Sequence, residues 1–225
     1  MFKFISFIDN LINYEKKYGV EFDLNGFPVF SNDMFYKGEI TDIIPYNQKH
    51  KANKNSAICF YEHDKYLYRK LSFKKLNIVS NELRKYPCFI GYDLSIFTDL
   101  SNYVQYYSVL CNLVIDMYLV LQGNRLIPNI RNSSIEYHYV FKEARIVCCG
   151  TIGCSKNKEK RLTSIKRIKE YSCSNSNKKI ILYGPLQIKE YNIIQIDNFR
   201  RFRKWTKENL ILIIHLLTIQ KNLLL

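Results

Sequence analysis

Glycine and proline are scarce in this chain, eight and five among 225 residues, which excludes a collagen-type or other fibrous repeat. No apolar run reaches the ~18–20 residues of a membrane-spanning helix. Residues 110–121 contain Asn112 and Asp116, and residues 210–219 are interrupted by His215, so no membrane insertion is expected. The N-terminus offers one early lysine, Lys3, then Asp9 and no small-residue cleavage site, which argues against export and for the cytoplasm. No C-x-x-C pair exists among the seven cysteines, Cys59, Cys88, Cys111, Cys148, Cys149, Cys154 and Cys173. An odd number at irregular spacing reads as reduced, structural thiols. Cys148 and Cys149 are adjacent, so on a strand they face opposite ways and do not converge with Cys154 on a zinc ion.

The nucleotide loops are missing too. There is no G-x-x-x-x-G-K-[ST] and no dinucleotide fingerprint. The four histidines, His50, His63, His138 and His215, are widely separated and form no metal-ligand or nucleophile–base pattern. Acidic residues are outnumbered, 20 against 34 Lys+Arg, for a net charge of +14. Such a surplus favours a polyanionic partner, although the Lys, Asn, Ile and Tyr richness has the look of AT-rich coding. With 47% hydrophobic and 15% aromatic residues, the chain can bury a core and is not disordered.

Read along its length, the chain begins with an amphipathic helix over residues 6–18. Residues 20–56 follow as an extended lead-in with turn signals at Asn25-Gly26, Pro28 and Pro45. Short apolar runs at 57–61, 88–92, 125–130, 144–150, 180–184 and 191–196 read as strands. Between them lie a helix capped by Thr98 or Asp99 and ended by Gly123, and a basic helix over 157–173. Residues 88–124 hold no Lys or Arg, so that stretch is interior. Strands joined by helical crossovers pair in parallel. The expected fold is therefore α/β: a mainly parallel sheet of five to six strands with flanking helices, open or partial-barrel-like. The expected divisions are an N-terminal segment (1–56), an α/β core (57–205) and a C-terminal helix (206–225) packed on the core or on a second copy of the chain.

Functional groups in such sheets gather beyond the carboxyl ends of the strands. Asp93, Ser95, Arg131, Thr151, Gly153 and Asp197 occupy those positions. Asp93, Asp99 and Asp197 could hold Mg²⁺ or Mn²⁺, although nothing requires a cofactor, and Arg131 could grip a phosphate. Asp99 also suits helix capping, and Gly150-Thr151-Ile152-Gly153 suits a tight strand-to-helix turn. The strongest physical signal is basic. Residues 151–207 hold fifteen Lys/Arg against four acids, a net +11 of the total +14. On the basic helix Lys158, Arg161 and Lys169 alternate with Leu162, Ile165 and Ile168, giving a basic outer and an apolar inner face, and Lys156 and Lys160 add to the candidate nucleic-acid contacts. Arg200, Arg201, Arg203 and Lys204 follow among Phe199, Phe202 and Trp205, a mixture that meets phosphates and stacks on bases.

The blocks Gly91-Tyr92-Asp93-Leu94-Ser95-Ile96-Phe97, Ile127-Pro128-Asn129-Ile130-Arg131, Gly150-Thr151-Ile152-Gly153 and Leu182-Tyr183-Gly184, in this order, resemble the domain of unknown function family 4417 over about 58–196. The resemblance implies an α/β protein of the kind carried by phages and plasmids and brings no established activity. Members carry D-F-S-x-Y where this chain has Asp93-Leu94-Ser95-Ile96-Phe97, and an Arg-Trp pair where it has Arg131-Asn132. Three functions are expected, in order: a mobile-element protein that binds nucleic acid or a ribonucleoprotein through its basic half; a metal-assisted phosphoester hydrolase using Asp93, Arg131 and Asp197; and an inhibitor of a host defence complex.

Overall fold

Runs of two to five apolar residues form the strands, and most are buried on both faces, the composition of a sheet covered on both sides. The structure is a computed structural model that describes residues 2–152 and 158–196. The described elements are α1 (Phe2–Lys17), β1 (Asp42–Pro45), β2 (Ser56–Cys59), α2 (Asp64–Tyr68), α3 (Phe73–Leu83), β3 (Cys88–Ile90), α4 (Asn102–Leu121), β4 (Leu126–Ile127), β5 (Ile146–Gly150), α5 (Lys158–Ser174), β6 (Lys179–Tyr183) and β7 (Ile193–Ile196). All pairings between strands are parallel and sequential, in sheets β1-β2-β3-β4 and β5-β6-β7. The α/β class and the parallel sheet are as expected. Two sheets with seven described strands replace the single sheet of five to six, because β1 forms within the segment read as extended lead-in.

A parallel bridge between Asn129 and Cys148 ties the two sheets together. There Ile130 N–H donates to the Cys148 carbonyl and Cys148 N–H to the Pro128 carbonyl, both at 2.8 Å. Two residues earlier on the same edge of β4, the Leu126 carbonyl accepts the Tyr36 N–H at 2.9 Å. The lead-in thus wedges between β4 and β5 at their amino ends and splits the sheet.

Sequential parallel strands send every right-handed crossover over one face. Residues Ile44, Ile58, Phe89, Leu126, Val147, Ile180 and Leu182 bury that face beneath α1, α3, α4 and α5. Their strand neighbours Ile43, Ala57, Cys59, Cys88, Ile90, Ile127, Ile146, Cys148 and Ile181 form a second apolar cluster, and among the described residues no helix covers it. It buries itself by curling. The Tyr61 ring, just past β2, stacks on Tyr183 of β6 at 5.4 Å, although four strand steps in a flat sheet span ~19 Å. Among the described residues no pairing joins β1 to β7, so the barrel stays open.

α4 is long and apolar enough by composition to span a membrane, yet most of it is buried within the protein. Its N-cap is Ser101, not Thr98 or Asp99, since residues 98–100 are already committed to a turn. Gly123, at φ +90°, ends the helix as expected. The lead-in is less exposed than its polarity suggests, with Phe27, Phe30 and Phe35 all buried in the main core. Residues 206–225 lie outside the described residues.

One buried group opposes this packing. Glu15 on α1 is 0% exposed and neither carboxylate oxygen has a hydrogen-bond partner, so burial raises its pKa to about 9. A raised carboxyl pKa gives stability that is complete below the unfolded value of 4.5 and is lost as pH rises toward 9. Glu15→Gln should therefore leave urea stability unchanged near pH 4 and raise it near pH 8, by on the order of 3 kcal/mol. Parallel pH profiles for the two proteins would contradict this account.

Candidate functional site

The mouth of the curled sheet is built from α4 outward. Asp116 and Asn112, one turn apart on that helix, fix the chain leaving β3. Asp116 Oδ1 accepts the Tyr92 N–H at 2.7 Å, and Asn112 accepts the Leu94 N–H at 2.8 Å while donating to the Leu94 carbonyl at 3.0 Å. Asp93 is held between these two anchors. Its carboxylate accepts a 2.8 Å hydrogen bond from Asn129 Nδ2 and forms an ion pair with the Arg131 guanidinium. Arg131 is itself clamped at its backbone: its N–H donates to the Tyr137 hydroxyl at 2.8 Å, and that hydroxyl donates to the Arg131 carbonyl at 3.2 Å. Deeper in, the Tyr61 hydroxyl donates to Asn129 Oδ1 at 3.0 Å and lies 3.2 Å from Cys148 Sγ.

Burial decides the charge states here. It pushes the Asp116 carboxyl far above the usual carboxylate range, against the pull of the Tyr92 N–H. The same desolvation raises the Tyr61 and Tyr137 hydroxyls and the Cys148 thiol. It lowers the imidazole of His138, a half-buried residue whose Nε2 sits 3.2 Å from the Arg131 carbonyl and whose ring packs on Tyr137 and Tyr171. The mouth therefore carries one paired negative and one paired positive charge over neutral polar groups. Beneath Arg131, Asn112, Asp116, Asn129 and Tyr137 line a narrow cavity with room for about one water molecule. A cation reaching Asp93 would have to displace the Arg131 guanidinium, and among the described residues no three His, Cys, Asp or Glu side chains converge.

The structure thus brings Asp93 and Arg131 together on neighbouring strand exits. Ser95 turns away from them: its N–H and hydroxyl both donate to Asp64 Oδ1 at 3.1 Å. Thr151 is 1% exposed and serves the turn, its hydroxyl donating to the Tyr183 carbonyl and accepting the Leu186 N–H. Asp99 is exposed in the turn before α4. Gly153 and Asp197 lie outside the described residues. The sequence reading missed Asn129, Tyr61, Tyr137 and the Asn112–Asp116 pair. Only the last left a signal, as two polar residues four apart in an otherwise apolar stretch.

The second candidate surface is α5. Ser164, Ile168 and Ser172 form its buried stripe, with Ile165 and Tyr171 half-buried beside them. Lys158, Arg161, Lys166, Arg167 and Lys169 are exposed. Leu162, expected on the inner face, is instead 57% exposed, because the stripe runs through positions 164, 168 and 172 and Leu162 falls outside it. Lys169 pairs with Glu190 at 3.0 Å and Lys166 reaches Glu170 at 3.8 Å. Lys178 is drawn inside, donating to the carbonyls of Phe141, Lys142 and Ala144 at 2.7–3.0 Å, and contributes nothing to the basic face. The side chain of Lys160, and all of Lys156, Arg200, Arg201, Arg203 and Lys204, lie outside the described residues.

Residues 29–200 match the family described as Domain of unknown function (DUF4417). The chain belongs to this family. No curated protein and no solved structure matches it. The match covers both the mouth and α5, so each candidate surface of this DUF4417 chain lies within the family domain.

At the mouth, removing one partner of a buried ion pair leaves an uncompensated charge. Arg131→Met should lower urea stability by about 3 kcal/mol, and adding Asp93→Asn to it should restore part of that loss. Strictly additive effects would show that the two charges do not support each other.

Proposed function

We propose that this protein binds nucleic acid, or a nucleic-acid-containing complex, through the outer face of α5. The observation that carries this reading is the exposure of five basic side chains on one helix, Lys158, Arg161, Lys166, Arg167 and Lys169, above a buried anchoring stripe. A helix anchored along one narrow stripe and carrying exposed cations around the rest of its first turns offers several groups to a phosphate backbone. The mouth supports the same choice from the other direction: its polar groups satisfy one another and its cavity is small. A place in the cytoplasm and a role in a mobile element belong to this proposal as well.

Phosphate contacts predict an affinity whose logarithm falls linearly with the logarithm of salt, by ~0.7–0.9 per phosphate neutralised. Reversing Lys158, Arg161 and Arg167 to Glu should weaken binding to labelled DNA or RNA by at least about 100-fold in anisotropy titrations at low salt. Undiminished binding by that variant would move the interface elsewhere.

A second reading, a phosphoester hydrolase, is favoured by the Asp93–Arg131 pair alone. It lies where α/β enzymes carry their chemistry, and the Arg131 side chain remains 24% exposed. In that case Arg131 would leave Asp93 for a substrate phosphate, with Mg²⁺ or Mn²⁺ supplied by the medium. Metal-dependent cleavage lost in Asp93→Asn would support it, and cleavage unaffected by that change would refute it.

A further inference from the structure

The turn between β6 and β7 carries Tyr191, which at 81% exposure is the most exposed tyrosine among the described residues. Isolated exposed aromatics are ordinary, but this one is held in place. Its hydroxyl donates to the Ser176 carbonyl at 3.2 Å, just past the end of α5. The residue before it, Glu190, is tied to α5 by the ion pair with Lys169. The residue after it, Asn192, is buried and locked to the same helix end. Asn192 Oδ1 accepts from Ser172 Oγ at 2.5 Å, and its Nδ2 donates to the carbonyls of Ser172, Asn175 and Lys178 at 3.2–3.4 Å. The ring is thus tethered at its tip and fixed at its root while most of its surface meets water, so little conformational freedom remains to be lost when something packs on it.

The surroundings are cationic. Lys189, two residues before Tyr191, is exposed, whereas Lys179 lies on the opposite sheet face with Glu39, Ile40 and Ile146 and plays no part here. Lys169 approaches from α5. An anchored aromatic among lysines is the combination that binds unpaired bases: the ring takes a base by stacking and the cations follow the backbone. Duplex bases are already stacked on one another and offer the ring nothing.

We propose that Tyr191 is a base-stacking platform that gives the basic face of this protein a preference for single-stranded nucleic acid. The proposal rests on the α5 reading above and specifies its ligand. The test is anisotropy at fixed salt with labelled oligo-dT and oligo-rU 12-mers, an abasic strand of equal length and charge, and a duplex. The proteins are the full-length chain, Tyr191→Phe and Tyr191→Ala. The expected result is tighter binding of dT and rU than of the abasic strand, about a tenfold loss with Tyr191→Ala on base-bearing single strands, little change on the abasic strand or duplex, and a smaller loss with Tyr191→Phe, which keeps the ring but not its tether to Ser176. Binding by the unaltered chain that Tyr191→Ala leaves unchanged, or weakens equally on all four ligands, overturns the stacking proposal while leaving the α5 reading standing. No salt-sensitive binding by the unaltered chain to any of them refutes the α5 reading and, with it, this one.

Discussion

Two aromatic rings meet inside the sheet, Tyr61 from the exit of β2 and Tyr183 from β6, and much of the molecule follows from that contact. A sequential parallel sheet covers one face with its own crossovers and leaves the other bare. With Ile43, Ile90, Ile127, Ile146 and Ile181 on that other side, exposure to water would cost ~1.5–3 kcal/mol per side chain. Curling until opposite strands touch removes that cost, and the Tyr61 ring fills the width that remains. Gly150 is part of the same fit, since a Cβ there would lie 2.3 Å from the Tyr61 ring.

The contact reaches the mouth as well. The Tyr61 hydroxyl leads to Asn129, Asn129 to Asp93, and Asp93 to Arg131, so the curl of the sheet and the placement of the ion pair are mechanically one assembly. Low dielectric strengthens each link and makes every unpaired group costly, which is why this region reads as a closed polar network. The outer surface follows another rule. Residues 88–124, without a single Lys or Arg, supply the central helix, whereas residues 158–174 hold six Lys/Arg against two acids and form the outer helix α5. Charge and core are separated along the chain before they are separated in space.

The sequence was most legible where periodicity and burial coincide. The stretch lacking positive charge does contain the buried helix α4, although residues 97–104 within it are exposed, and the runs at 88–92, 144–150 and 180–184 contain β3, β5 and β6. Asp93 and Arg131 could be placed at strand exits because parallel topology sends all carboxyl ends to one side. Their contact could not, nor could the role of Asn129, because hydrogen bonds between residues tens of positions apart leave no local pattern. β1 was hidden by the turn residues around it, and α2 and α3 by the charged residues between 62 and 87. Leu162 was misplaced because α5 buries serines, Ser164 and Ser172, where apolar residues are the ordinary expectation.

The wedge formed by the lead-in also sets a sequence of events. Tyr36 and Leu126, joined by a backbone hydrogen bond, are separated by a loop of about ninety residues, whose closure costs several RT of chain entropy before any contact compensates it. Residues 35 and 36 leave the ribosome long before their partners exist, and during that interval Phe30 and Phe35, destined for the core, have nothing to bury against. The seam between β4 and β5 therefore closes late, when the earliest-made stretch of the sheet meets the later strands that form on either side of it.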